Sequence, residues 1–204
     1  MCLHILESFS ATICGLQGLG ELTLIGSIPE APKDLWQLEG LEKLTLRMKE
    51  IKHLPDNICM LKHLKSLNLE SCWLLEQLPK DLGRLEGLEE LDLTQCMSLR
   101  DIPNSICSMK CLKSLSLSFC TQVKNLPGEL GSLECLKTLN IERSGIGHLP
   151  HSIFQLKDLC IVWSRLRLLS YGFTCLKEIF GETASSYVHQ QRYDPIEVLS
   201  GNPC

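Results

Sequence analysis

Apolar residues recur along this chain at fixed offsets. In residues 64–79, LKSLNLESCWLLEQLP, they fall at Leu64, Leu67, Leu69, Cys72, Leu75 and Leu78, and Pro79 closes the line. Residues 112–127, LKSLSLSFCTQVKNLP, write the same line again, and 88–103, LEELDLTQCMSLRDIP, stand between the two. Prolines at 32, 55, 79, 103, 127 and 150 keep a nearly constant step, and Leu19, Leu41, Leu64, Leu88, Leu112, Leu136 and Leu159 each open a unit. The unit reads L-x-x-L-x-L-x-x-C-x-x-L-x-x-L-P-x-x-I/L-x-x-L. A fixed period of this length is the mark of units that stack into a solenoid.

Each part of the unit predicts an element. In L-x-L the two leucines point to one side because strand side chains alternate, so Leu67 and Leu69 enter a core together. The next unit sets Leu91 and Leu93 beside them, about 4.8 Å away across a parallel sheet. Seven such strands extend over roughly 30 Å. L-x-x-L-P then turns the chain away, where proline's fixed φ and missing N–H suit an irregular return. Ile106, Met109 and Leu112 have the spacing of a short helix or 3-10 turn. No unit can hide its own leucines, so stability comes from stacking neighbours. The predicted fold class is an α/β repeat solenoid. It is a horseshoe with parallel strands on the concave face and short helical or irregular segments on the convex face.

Twelve cysteines in 204 residues are many. A secreted disulfide scaffold would be short and loop-rich, whereas here the cysteines follow the repeat. Cys72, Cys96 and Cys120 close the strand in three successive units, where Ser27, Lys49 and Ser144 stand in other copies. A small thiol suits an inward bend and can weakly satisfy a carbonyl there. Cys14, Cys59 and Cys107 form a second column, and Cys111 and Cys135 a third. With no secretion signal in MCLHILESFS, reduced thiols and a cytoplasmic or nuclear location are expected.

The charge of −4 argues against non-specific nucleic-acid binding. No apolar run approaches the roughly 20 residues that span a bilayer, so no membrane partner is expected. Cys107 and Cys111 are a short-spaced pair without the second pair that zinc wants. His148 and His151 look like H-x-x-H, but His53 before Leu-Pro shows that the repeat slot tolerates histidine. A nucleophilic role for Cys160 or Cys175 finds neither base nor motif. No metal, cofactor or enzymatic activity is expected.

The array is expected over 1–163, in about seven repeats. Counting back one period puts Leu3 at the cysteine slot, with Leu6, Phe9 and Ile13 following in phase. The chain is therefore expected to begin just after a missing strand, as a piece of something longer. LCIVWS supplies a last strand, residues 164–180 a cap, and 181–204 a polar, loosely ordered tail.

The line L-x-x-L-x-L-x-x-C-x-x-L-x-x-L-P-x-x-I-x-x-L resembles the leucine-rich-repeat region of plant intracellular nucleotide-binding leucine-rich-repeat disease-resistance proteins. The similarity runs over about residues 13–163 and is pronounced in LKSLNLESCWLLEQLPKDLGRLEGLEELDLTQCMSLRDIPNSI. Secreted plant receptors usually carry Asn where this chain has Cys, and Gly-x-Ile-Pro where it has Leu-Pro. The ending QLKDLCIVWS also looks like a last repeat of the intracellular family. The chain has no G-x-x-x-x-G-K-[ST] loop, so no nucleotide is expected to bind. The resemblance thus implies only the recognition and autoinhibitory part of such a receptor. The implied partner is a protein: a pathogen effector, a guarded host protein, or the receptor's own nucleotide-binding domain. A stand-alone intracellular scaffold similar to plant Ras-group leucine-rich-repeat proteins is the alternative.

In such a horseshoe, the residues between the core leucines face the concave side. One column is Glu21, Lys43, Ser66, Glu90, Ser114 and Thr138. The next is Thr23, Thr45, Asn68, Asp92, Ser116, Asn140 and Trp163. A third is Ile25, Arg47, Glu70, Thr94, Ser118, Glu142 and Arg165. Glu70, Glu90, Asp92 and Glu142 make the middle acidic, with Lys65, Lys113 and Lys137 along one edge. Phe119 and Trp163 are candidate aromatic anchors, and Trp73 a weaker one that folds over the ridge.

Overall fold

The structure, a computed structural model, describes residues 2–4, 18–27, 29–32 and 34–163. The predicted cap and tail, together with Cys14, Arg165, Cys175 and Cys204, lie outside the described residues. Among the described residues, eight strands pair in chain order into one parallel sheet. They are β1 Cys2–His4, β2 Glu21–Gly26, β3 Lys43–Met48, β4 Ser66–Asn68, β5 Glu90–Asp92, β6 Ser114–Ser116, β7 Thr138–Asn140 and β8 Cys160–Val162. Between strands the chain returns through 3-10 turns at Leu35–Gln37, Asp56–Met60, Leu82–Arg84, Asn104–Ser108, Leu130–Ser132 and His151–Gln155. This is the strand-and-return solenoid that the periodicity dictates.

The register sets the core. Leu44, Leu67, Leu91, Leu115 and Leu139 are paired in turn across β3 to β7, and none is more than 1% exposed. Leu46, Leu69, Leu93, Leu117 and Ile141 form a second buried row beneath the strand ends. The turns close the far side with Ile58, Leu82, Ile106, Leu130 and Ile153. Each proline fixes the start of its return. The carbonyls of Pro55, Pro79, Pro103 and Pro127 accept the N–H of Ile58, Leu82, Ile106 and Leu130, and the ring's locked φ presets the turn. Leu91 has a leucine row on either side, so Leu91→Ala should lower the unfolding free energy by about 2–5 kcal/mol, read as a fall in the urea midpoint. A midpoint equal to the wild type would mean that this row does not carry the core.

Both ends of the array depart from the expected register. Leu3 does not sit at a cysteine slot after a missing strand. It pairs with Leu24, between Cys2↔Thr23 and His4↔Ile25, so a strand stands there. The step from Leu3 to Leu24 is shorter than the step from Leu67 to Leu91, and counting back a full period overshoots it. At the other end Ile161 pairs with Leu139 and Val162 with Asn140. This step too is shorter than the one that carries Leu115 to Leu139. The resulting slip puts Val162 in the concave column in place of Trp163, because side chains alternate.

The strand ends also differ between units. Ser71, Gln95, Phe119 and Arg143 all have positive φ, between 52° and 64°. They occupy the same place in four successive units, immediately before the slot of Cys72, Cys96, Cys120 and Ser144. Each left-handed residue breaks the strand and swings the next side chain inward. β2 and β3 have no such residue and run on as longer strands. The inward place therefore goes to Met48, fully buried, and the expected occupant Lys49 is exposed.

Candidate protein-binding face

The concave columns align as the register requires. Glu21, Lys43, Ser66, Glu90, Ser114 and Thr138 are consecutive partners, as are Thr23, Thr45, Asn68, Asp92, Ser116 and Asn140. Beyond the strands, bonds from Ser71 to Thr94, Gln95 to Ser118 and Phe119 to Glu142 continue the ladder through the third column.

Much of this face is bonded to itself. Lys43 pairs with Glu21 at 2.7 Å, Lys65 with Glu42 at 2.9 Å, Arg47 with Glu70 and Lys113 with Glu89. The Lys43 ammonium bonded to Glu21 holds that carboxyl below its ordinary value, and Lys113 does the same to Glu89. Asn68, Asp92 and Asn140 were expected as contact residues, and they also hold the backbone. Their Oδ1 atoms accept the N–H of Glu70, Thr94 and Glu142 at 2.9, 2.9 and 3.0 Å. These are side-chain turns of the Asx kind, and they fix the chain just before three of the four left-handed residues, Ser71, Gln95 and Arg143. Thr94 and Ser116 share a 2.9 Å hydroxyl bond.

The acidic centre survives this bonding. Glu90 accepts from Ser66 Oγ at 3.2 Å, and Asp92 from Asn68 Nδ2 at 3.4 Å. Among the described residues neither forms an ion pair. Two negative charges thus stand on β5 between the neutral register partners Ser66, Ser114, Asn68 and Ser116, with the Lys43 ammonium near enough to feel Glu90.

Three expected site residues are placed differently. Ser118 is buried, 4% exposed, with its hydroxyl 3.3 Å from the Glu142 carbonyl, and it is not part of the accessible face. Glu70, Thr94 and Glu142 precede the same left-handed turn and stay half-buried, so the burial belongs to the short serine side chain folded back on the neighbouring carbonyl. Phe119 is half-buried at the turn rather than on the strand, with the Arg143 guanidinium 5.2 Å from its ring centre. Trp163 is partly buried against the core. Its slipped register gives the parity of the buried row.

Trp73, by contrast, is 41% exposed, beside Leu74 and Met97 at 43% each. The Lys49 ammonium lies 4.8 Å from its ring centre. This ridge follows the cysteine slot, and only the tryptophan itself signalled it in the sequence. The convex side carries His151, edge-on to Phe154 at 5.6 Å. No helix among the described residues is long and apolar enough to cross a membrane.

Beneath the face lies the cysteine column. Cys72, Cys96 and Cys120 donate from Sγ to the carbonyls of Leu46, Leu69 and Leu93 at 3.0, 3.3 and 3.0 Å. Each thiol thus satisfies a backbone acceptor of the preceding unit. Burial pushes the Cys72 thiol up to about 11 and Cys120 up to about 12. Cys96 is raised further, by burial first and then by the thiols on either side. These groups are structural hydrogen-bond donors, not nucleophiles.

Comparison with known proteins bears on the architecture. The Leucine Rich Repeat family model matches residues 63–85. A leucine-rich-repeat protein of Leptospira interrogans is similar in structure, with 28% identity over 76% of this chain and a TM-score of 0.55. The Arabidopsis receptor kinase HAESA, solved in complex with the peptide hormone IDA and the co-receptor SERK1, is 20% identical over 80% of this chain with a TM-score of 0.50. The chain spans 45% of the Leptospira protein and 32% of the receptor kinase chain. No curated protein sequence matches significantly. The stacked parallel strands, the in-register leucine rows and these likenesses identify the fold as a leucine-rich-repeat solenoid.

Proposed function

We propose that this solenoid is a non-catalytic protein-recognition module, the effector-sensing and autoinhibitory repeat region of a plant intracellular immune receptor. It would act in the cytoplasm or nucleus. In this reading residues 1–163 form the array, 164–180 its cap and 181–204 a tail. The observation that carries the proposal is the acidic centre of the concave face. Among the described residues, Glu90 and Asp92 carry charge without an ion pair, on a surface whose neighbours are locked by lateral bonds. A preorganised surface loses little entropy on docking, and a negative centre suits a basic patch on another protein. The partner is a pathogen effector, a guarded host protein or the receptor's nucleotide-binding domain, and the disease-resistance-type cysteine slot and Leu-Pro return favour that setting.

The test is charge reversal without loss of fold. Glu90→Lys combined with Asp92→Asn removes both charges while keeping an acceptor for the Thr94 N–H. Binding to a supplied nucleotide-binding domain of such a receptor, measured by co-purification and titration, should weaken about tenfold or more at low salt. Equal affinity for the variant would exclude the acidic centre as the contact.

A further inference from the structure

The third cysteine column has no part in the core or on the concave face, and its two members are neighbours. Cys111 and Cys135 hold the same place in adjacent units, where the other copies carry Gly18, Gly40, His63, Gly87 and Asp158. Each lies in the turn that enters a strand, shortly ahead of Ser114 and Thr138, which are register partners. The two turns have one conformation. Leu112 N–H reaches the Met109 carbonyl at 3.0 Å, and Leu136 N–H reaches Leu133 at 2.8 Å. They are tied edge to edge, because the Lys113 carbonyl accepts from both Lys137 and Thr138 at 2.8 and 3.0 Å. Equivalent residues of neighbouring parallel strands lie about 4.8 Å apart. A disulfide asks for Cα atoms roughly 4.4–6.8 Å apart and side chains that do not diverge. Both thiols are free and exposed, and both act electrostatically on the Lys113 ammonium beside them.

We propose that Cys111 and Cys135 form a dithiol–disulfide site across two adjacent repeats, with an oxidised low-molecular-weight disulfide as co-reactant. One protein thiolate attacks a sulfur of the small disulfide, whose S–S bond breaks and releases one thiolate. The second protein thiolate attacks the resulting mixed disulfide and releases the other. The two protein thiols are oxidised by two electrons, the small disulfide is reduced to two thiols, and the two cysteine protons end on them. The product staples the β6–β7 interface and closes a loop between residues 111 and 135 in the unfolded chain. In a nearest-neighbour array this strengthens one interface against local opening.

The test uses the full chain equilibrated with excess glutathione disulfide, quenched with acid, alkylated and digested with trypsin without reduction. Residues 111–113, CLK, should appear joined to 125–137, NLPGELGSLECLK, as one species that reductant separates. The oxidised protein should melt several degrees above the reduced one. Cys111→Ser and Cys135→Ser, both at exposed positions, should lose the linked species and the shift. Recovery of both cysteines only as separate glutathione adducts would overturn the proposal. So would links joining Cys107 to Cys111 or Cys135 to Cys160. The readout is independent of any protein partner, so its failure leaves the concave-face reading standing.

Discussion

Gly131→Ala should destabilise the protein by about 3 kcal/mol or more, at or beyond the upper end of ordinary overpacking. Gly128→Ala, in the same return, should be neutral or raise stability by up to about 1 kcal/mol. A methyl group on Gly131 would lie 1.8 Å from the Ser152 carbonyl oxygen and 2.4 Å from its carbon. Both are backbone atoms of the next turn, so no side chain can swing aside. The approach is built in, since the Gly131 N–H donates to Ser152 Oγ at 3.0 Å and that hydroxyl donates to the Gly128 carbonyl at 2.6 Å. Gly128 itself has open space where a Cβ would go. Gly83 repeats the clash against Ser105 at 1.9 Å and the bond from its N–H to Ser105 Oγ at 3.2 Å, so Gly83→Ala should behave like Gly131→Ala. Urea titration of the three variants decides the matter. Coincident midpoints for Gly131→Ala and Gly128→Ala would show that the turns do not touch. Since net stabilities are about 5–15 kcal/mol, the Gly83 and Gly131 substitutions together should leave the later units unfolded.

These glycines show where the sequence was readable and where it was not. The echo between alternate units was plain in the letters, and D-L-G-R-L at 81–85 and E-L-G-S-L at 129–133 belong to it. That the echo pinches the returns together in pairs, glycine against serine, needs a close approach that periodicity cannot express. The leucine rows were legible because a strand alternation nested in a long, constant period leaves one solution for Leu67, Leu91 and Leu115. The thiol's role was legible as well, because a small weak donor at an inward bend has few other uses. Legibility failed where the step length changed. Shortened steps at β1 and β8 hid a strand at one end and flipped Trp163 at the other. It failed again where two polar roles look alike. Asn68 facing a partner and Asn68 capping the Glu70 N–H are the same letter in the same column. The left-handed residues Ser71, Gln95, Phe119 and Arg143 carry no glycine to announce them, so the short strands could not be read in advance.

Alkaline pH should unfold this protein through its cysteine column. An unfolded thiol titrates near 9.0, whereas folding holds Cys72 up to about 11, Cys120 up to about 12, and Cys96 raised as well. Between pH 9 and 11 the unfolded chain has therefore shed protons that the folded chain keeps. The unfolded state binds fewer protons, so stability falls as pH rises. It is fully present below pH 9 and lost progressively towards the folded values. Each thiol contributes a slope of about 1.4 kcal/mol per pH unit in that window, and three together give about 4 kcal/mol per unit. Two units of alkalinity would then cancel a typical net stability. The slope can be separated from the loss of a hydrogen bond. Cys96→Ala leaves the Leu69 carbonyl without its thiol donor and should lower stability at every pH, by about 1–2 kcal/mol. Only the lost proton, however, reduces the pH dependence. Urea midpoints across the alkaline range from about pH 8, in the presence of reductant, should show the variant's slope shallower than the wild type's by about one thiol's share. Parallel curves would mean that these thiols titrate alike folded and unfolded, and that burial does not hold their protons. A reduced slope would show that the column read from the repeat, one thiol per unit bonded to the carbonyl behind it, also sets the pH at which the stack comes apart.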